Sequence, residues 1–391
     1  MNNLPLENIK VIEFSHMVMG PSAGMLLADL GAEVIKIEPI GGDKTRNLKG
    51  SGAGYFAMYN RNKKSVCIDM KSEQGHAIIA DLVKDADVVI ENFRGGALEA
   101  IGYGYDELSK INKGLIYMSA RGFLKGPYEN RTALDEVAQM MGGLAYMTGP
   151  SNRPLRAGAS VIDVMGGMFG VIGILAALQQ RHTSEVGQQI KSSLFESTVF
   201  LMGQHMAQHE VTGTPAAPMP ERVSAWAIYD VFEVKDNEKL FVAVVSDSQW
   251  VKFCEEFSFD EFINDPSFAT NGQRVAKRDL IMSIVAQRFK QISLTDLSSR
   301  LNNLGLPYAP INRPQDLKDD PHLRNSGGLI PVQIGDGKQA ELPALPLEFS
   351  NERLGLRLDI PEIGEHTSDV IKGLGFSENE LAELVDRKIV G

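Results

Sequence analysis

Cysteine is nearly absent. Only Cys67 and Cys254 occur in 391 residues, without a C-x-x-C pair or a companion histidine, which excludes a disulfide framework and a cysteine-ligated zinc site and points to a reducing compartment. Positive charge is in deficit too. With 39 Lys and Arg against 50 Asp and Glu, the formal net charge is -11, which argues against a nucleic-acid surface, because phosphate binding is dominated by lysine and arginine. The amino-terminal MNNLPLENIK has no charged segment followed by an apolar one, so no secretory signal is expected. The longest apolar run is expected to fall short of a membrane span once its acid and glycines are counted. No internal repeat or low-complexity tract is present. These absences predict a cytoplasmic protein that meets neither membrane nor nucleic acid.

What is present is globular. Hydrophobic residues make up 43% and charged residues 23%, an ordinary balance for a packed chain, and the length suits two domains. Strand Lys10–Ser15, helix Ser22–Leu30 and strand Glu33–Glu38 read as a β-α-β unit, hence a parallel sheet with a right-handed crossover. Glu38 stands where a ribose-binding acid would. The glycines exclude a dinucleotide site, because Gly20 and Gly24 do not complete a G-x-G-x-x-G after the first strand.

Tyr59-Asn-Arg-Asn-Lys-Lys-Ser65 reads as a basic turn before a strand at Val66–Asp69, either an ordinary solvated turn or a phosphate contact at the sheet edge. Glu91-Asn-Phe-Arg-Gly-Gly96 is a turn at the carboxyl end of strand Val88–Ile90, leading into a helix at Ala97. Open α/β sheets place ligands there. A helix from Glu196 to Val211 carries His205 and His209 at i, i+4, but lacks the acid of HExxH and a third ligand, so no metal site is expected. The linker Thr212–Pro220 precedes a smaller α+β domain with a hairpin around Lys235–Glu238. Ser377-Glu-Asn-Glu380 is a capping-box start for the last helix.

The most informative stretch is Gly158 to Leu178. It enters a helix that is apolar on every side, as interior helices are, with glycines at 166, 167, 170 and 173 and one acid, Asp163, in its first turn. Asp163 has two readings. It is an N-cap whose carboxylate accepts first-turn amides, or those amides keep it ionised at neutral pH to act as a nucleophile.

Five pieces in order carry a resemblance over nearly the whole chain: Leu30-Gly-Ala-Glu-Val-Ile-Lys-Ile-Glu-Pro39, Asn60-Arg-Asn-Lys-Lys-Ser65, Asp87-Val-Val-Ile-Glu-Asn-Phe93, Gly305-Leu-Pro-Tyr-Ala-Pro-Ile-Asn312 and Gly364-Glu-His-Thr367. They resemble the class III CoA-transferases of the CaiB/BaiF type, a family that includes formyl-CoA transferase and succinyl-CoA:glutarate CoA-transferase. The resemblance implies an α/β fold: a Rossmann-like large domain from both chain ends (1–212 and 325–391), a small α+β domain (213–324), and a homodimer of interlocked rings. It implies acyl-CoA and carboxylate substrates, with coenzyme A carried by substrate and no permanently bound cofactor. Asp163 matches the family's nucleophile, which passes through an anhydride and an aspartyl-CoA thioester, with glycines admitting the thioester and backbone amides holding the oxyanion.

Carried over residue by residue, the resemblance puts coenzyme A against His16, Met17, Val18, Met19, Ile68, Asn92, Phe93 and Ala97. Basic residues expected in the family are replaced by Pro39 and Ala100, which shifts the expected phosphate contacts to Arg46, Arg61, Lys63 and Arg94. Leu134 and Asp135 are expected in the substrate pocket. Val18 replaces a glutamine of formyl-CoA transferase, and Val245-Ser-Asp-Ser-Gln249 lacks the glycines of its mobile loop, which disfavours oxalate as acceptor. The related racemases need a G-H-D histidine where this chain has Ala133-Leu134-Asp135, so two-base proton exchange lacks its partner. A CoA-binding protein without turnover is the remaining alternative.

Overall fold

The computed structural model describes residues 4–222, 224–335 and 337–391; the first three residues of the expected large domain and of the amino-terminal segment read for a secretory signal lie outside them. The chain divides into two compact units, one running to Pro220 and resuming at Pro321–Gly391, the other Glu221–Asp320.

The first unit is built on six strands, β1 (Lys10–Phe14), β2 (Glu33–Glu38), β3 (Lys63–Cys67), β4 (Val88–Glu91), β5 (Ile116–Arg121) and β6 (Gln189–Ser193). They lie in the order β3-β2-β1-β4-β5-β6, every pair parallel. Both faces are covered. Val11, Val34, Val88, Ile90 and Met118 enter one core, while Ile12, Phe14, Ile35, Val66 and Val89 enter the other. That double burial explains why the strands read as continuous apolar runs rather than alternating ones.

Two assignments shift. The basic segment is no solvated turn: Tyr55–Tyr59 is a short helix and Lys63, Lys64 and Ser65 belong to β3, which starts three residues earlier than its apolar residues indicate. The turn after β4 gives only a 3-10 segment at Glu99–Ile101, with the next helix at Tyr105–Ile111. Two lysines and a serine at the start of a strand have low β propensity. Buried ion pairing overrides it, as the site shows below.

The edge strand β3 is covered by the carboxyl-terminal segment. His366 donates its amide to the Ser65 carbonyl (3.0 Å), Cys67 donates to Thr367 Oγ1 (3.0 Å), and that hydroxyl donates to the Gly391 carbonyl (2.7 Å). The Gly364-Glu-His-Thr367 motif is thus a clasp that satisfies an exposed sheet edge.

The helix Val161–Ser184 runs for 24 residues, so by length and composition it is long and apolar enough to cross a membrane, contrary to the sequence expectation; 44% of its apolar window is buried inside the unit. It packs on helix Met19–Asp29 through its glycines. A Cβ on Gly167 would stand 2.8 Å from the Met19 carbonyl oxygen and 3.2 Å from the Ala23 nitrogen. The close backbone approach expected of these glycines is made at Gly167 by the protein's own helix, whereas Gly166, Gly170 and Gly173 face the side chains of Met19, Met118 and Ile190.

The second unit has an antiparallel sheet, β7 (Ile228–Glu233), β8 (Lys239–Val244) and β9 (Tyr308–Pro310). Its core is aromatic, with Phe253, Phe257, Phe259 and Phe289 buried together. The segment at Val245–Gln249 leaves β8 and opens a helix, with the Ser246 hydroxyl accepting from the Gln249 amide. A helix start needs a cap, and glycines would loosen it.

Candidate active site

The strand order reverses between β1 and β4, and a crevice at the carboxyl ends of such strands is where doubly wound sheets bind ligands. The loops leaving these two strands are fastened to each other. Asn92 Oδ1 accepts from the His16 amide (3.0 Å) and Asn92 Nδ2 donates to the His16 carbonyl (2.7 Å), so one side chain satisfies both backbone polar groups of one residue. The His16 ring stands edge-on to Phe93, centroids 5.1 Å apart. Burial holds the His16 pKa below its ordinary value, with Asp43 opposing and Lys36 reinforcing.

Met17 has a positive φ of 63° and donates its amide to Thr45 Oγ1 (3.0 Å), and Thr45 is held in turn by Asp43. On the other loop, Glu91 accepts the Phe93 amide (3.1 Å) while Arg121 pairs with Glu91 (2.5 Å) and donates to the Phe93 carbonyl (3.3 Å). Asp43, Thr45 and Arg121 were not singled out from sequence. Asp-x-Thr is a local turn signal that could have found the first two; Arg121 acts across strands and leaves no local trace.

Of the predicted CoA contacts, Met17, Arg94 and Ala97 are exposed and His16, Asn92 and Phe93 half-buried on these loops. Val18, Met19 and Ile68 are different. Their side chains are buried at 1%, 5% and 0% exposure, so they serve the core and only their backbone could meet a ligand.

Three of the four predicted phosphate ligands are committed elsewhere. Lys63 is wholly buried and its ammonium pairs with Glu13 (2.8 Å), donates to the Pro21 carbonyl (2.9 Å) and to Asn60 (3.2 Å). Burial pushes its pKa down against the pull of Glu13. The pair lies over Gly24, where a Cβ would collide with Glu13. Arg61 is buried against Asp29 (2.6 Å), and Arg46 grips Glu38 through Nε (2.9 Å) and Nη2 (2.6 Å). Burial raises the Glu38 pKa, but Arg46 and Ser65 outweigh it and leave it lowered. The acid that stood where a ribose ligand would is an internal ion-pair partner. Only Arg94 stays free; with Lys71, after β3, it is exposed and forms no ion pair among the described residues.

Asp163 lies in the third position of its helix, half-buried. It is not the N-cap. Ser160 takes that position without capping through its side chain, its hydroxyl standing 3.4 Å from Tyr55 Oη. The free amides are taken by Asp135, whose Oδ2 accepts from Ile162 (2.9 Å) and Asp163 (3.1 Å); the Val164 amide goes to the Ser160 carbonyl (3.1 Å). The Ile162, Asp163 and Val164 amides are thus engaged by groups other than the Asp163 carboxylate. Burial, then the neighbouring Asp135 charge, raise the Asp163 pKa to about 7, against Arg156. Its carboxylate accepts no hydrogen bond from the described residues.

Asp135, expected in the substrate pocket, is buried at 4% exposure with its carboxylate accepting from the backbone of the Asp163 helix. Leu134, beside it, is 60% exposed. Tyr59 was missed from sequence; burial and then the Asp163 charge push its pKa up, so its phenol stays protonated near that carboxylate.

The first unit thus combines a doubly wound sheet, two loops fastened to each other at its switch point and, at the head of a long apolar helix, a carboxylate that accepts no hydrogen bond from the described residues. Residues 6–367 match the sequence model of CoA-transferase family III, and the chain belongs to that family. It is 30% identical over 399 residues to the succinyl-CoA:glutarate CoA-transferase of Homo sapiens, covering 100% of this chain and 91% of the human one. It is 32% identical over 383 residues to the succinate–glutarate CoA-transferase of Agrobacterium fabrum, covering 95% and 96% of the two chains. The solved structure of a CaiB/BaiF family protein from Brucella suis aligns with TM-score 0.85 and 34% identity, over 95% of this chain and 100% of that one.

Proposed function

We propose that this CoA-transferase moves CoA from an acyl-CoA to a second carboxylic acid through covalent intermediates on Asp163, as the family resemblance implies. The observation that carries the reading is the Asp163 carboxylate itself: half-buried, without a hydrogen bond from the described residues, and with a pKa raised to about 7. Basicity strengthens a carboxylate nucleophile, and a pKa near neutrality leaves a useful ionised fraction.

A carboxylate oxygen attacks the thioester carbonyl, the C–S bond breaks, and a mixed anhydride and CoA thiolate result. The thiolate attacks the Asp163 carbonyl of the anhydride, releasing the donor acid and leaving an aspartyl-CoA thioester. The acceptor carboxylate displaces the thiolate from that thioester, and the thiolate then attacks the acceptor-derived carbonyl, restoring Asp163. No net proton is consumed. The relatives named for succinate and glutarate support a dicarboxylic acceptor. The His16–Met17 and Asn92–Arg94 loops hold the CoA moiety, with Arg94 and Lys71 toward its phosphates. Racemisation is disfavoured because Leu134 offers no proton-exchanging group opposite Asp163.

The test is intact-protein mass after incubation with a panel of acyl-CoAs, followed by hydroxylamine or borohydride. A modification mapped to Asp163 is expected, and the donor that gives it identifies the acyl class. A broad panel that leaves Asp163 unmarked while CoA binds would defeat covalent transfer.

The functional unit is proposed to be the interlocked homodimer. Met168, Ile172, Phe200 and Val211 are 49%, 58%, 70% and 85% exposed on helices Val161–Ser184 and Leu194–Thr212. So much apolar surface calls for a partner, and a second copy of the chain supplies it. Light scattering is expected to report twice the chain mass for the wild type; a monomeric wild type at micromolar concentration would sink the assignment.

A further inference from the structure

The structure assigns Asp135 as the positioning residue of Asp163, an inference that rests on the proposed role of Asp163 and extends it. One buried carboxylate fastens three pieces of chain. Its Oδ2 takes the amides of Ile162 and Asp163; its Oδ1 accepts from Gln139 Nε2; and Gln139 Oε1 accepts the Ala157 amide (2.8 Å). The helix Asp135–Met141, the loop before the Asp163 helix and that helix's first turn are thereby locked in one register.

Two consequences follow for the neighbouring acid. The backbone of Asp163 is held by a hydrogen bond to a charged acceptor, stronger than one between neutral groups. The donors that would otherwise lower its pKa are spent, and a second negative charge stands close by. The charged and titratable groups acting on Asp163 come from three elements: Asp135 from its own helix, Arg156 from the preceding loop, and Tyr59 from the helix Tyr55–Tyr59. Arg156 is itself paired with Glu136 and stands 3.9 Å from Asp135 Oδ1, which divides its charge among three carboxylates and weakens its hold on Asp163. Asp135 thus keeps the nucleophile placed and basic without touching substrate.

The variant Asp135→Asn retains an oxygen for the two amides and removes the charge. The pH at which kcat/KM rises to its plateau is expected to move down by about one unit or more, and the 13C titration of the Asp163 carboxyl to move with it. Gln139→Met, which keeps the Asp135 charge, is expected to slow turnover with the pH limb unmoved. If Asp135→Asn does not fold, Asp135→Ser offers the same amides a neutral oxygen and carries the same expectation. A folded neutral variant whose Asp163 still titrates at the wild-type pH overturns the assignment. Turnover that survives Asp163→Asn instead overturns the nucleophile reading, while the carboxyl titration still reports the coupling.

Discussion

Asp163→Asn is expected to lower kcat by about 1000-fold or more and, in the same protein, to raise the stability above neutral pH. The first effect follows because the amide is too poor a nucleophile to form the anhydride. The second follows from the raised pKa of Asp163. In the unfolded chain this acid ionises near its ordinary value, in the native state only near pH 7, so the stability of the protonated site is full below about pH 4 and is lost progressively as pH rises to about 7. Replacing the acid by a neutral isostere removes that loss. The gain is expected to be negligible near pH 4 and on the order of 2 to 4 kcal/mol near pH 8. Denaturant melts of wild type and variant across this range check it. Equal stability at both ends would mean that Asp163 is ordinarily solvated, and would remove the physical basis for its activation.

Lys63→Met is expected to destabilise the large unit by about 3 to 5 kcal/mol, the usual cost of leaving a buried charge unpaired. Glu13 and Lys63 are both wholly buried, and Lys36 at 3.5 Å from Glu13 offers only partial compensation. Arg94→Ala should behave in the opposite way, leaving the melt unchanged and raising KM for acyl-CoA several-fold by about 1 kcal/mol of lost phosphate attraction. Urea melts and acyl-CoA kinetics on the two variants separate the roles. If Lys63→Met instead melted like wild type and lost only CoA affinity, the buried pair would be wrong and the phosphate reading restored.

The contrast between these two cations shows why basic residues resist assignment from sequence. Arg61 and Lys63 stand in a polar run, and pattern alone makes them a surface turn. Their partners Asp29 and Glu13 lie 32 and 50 residues away, and only a folded sheet brings them together. The same holds for Asp163. Its apolar, glycine-rich helix was legible, and so was its first-turn position. The cap was not, because the acceptor is Asp135, 28 residues upstream on another helix, and no local spacing encodes that. Glu38 occupies the position of a ribose ligand, a role the missing glycines exclude from sequence; what the sequence leaves open is its partner, Arg46.

What the sequence by itself determined is local or periodic: the β-α-β alternation, the ends of β2, the capping box at Ser377 and Glu380, the long apolar helix behind Asp163 and the family motifs in order. Strand and helix periods are properties of neighbouring residues, so they survive in one dimension. What only the tertiary structure decided is which charges face which. Coulombic partners and burial are set by distances in space, and those paired three expected phosphate ligands with internal carboxylates, two of them in the core, and set Asp135 against the first turn of the Asp163 helix.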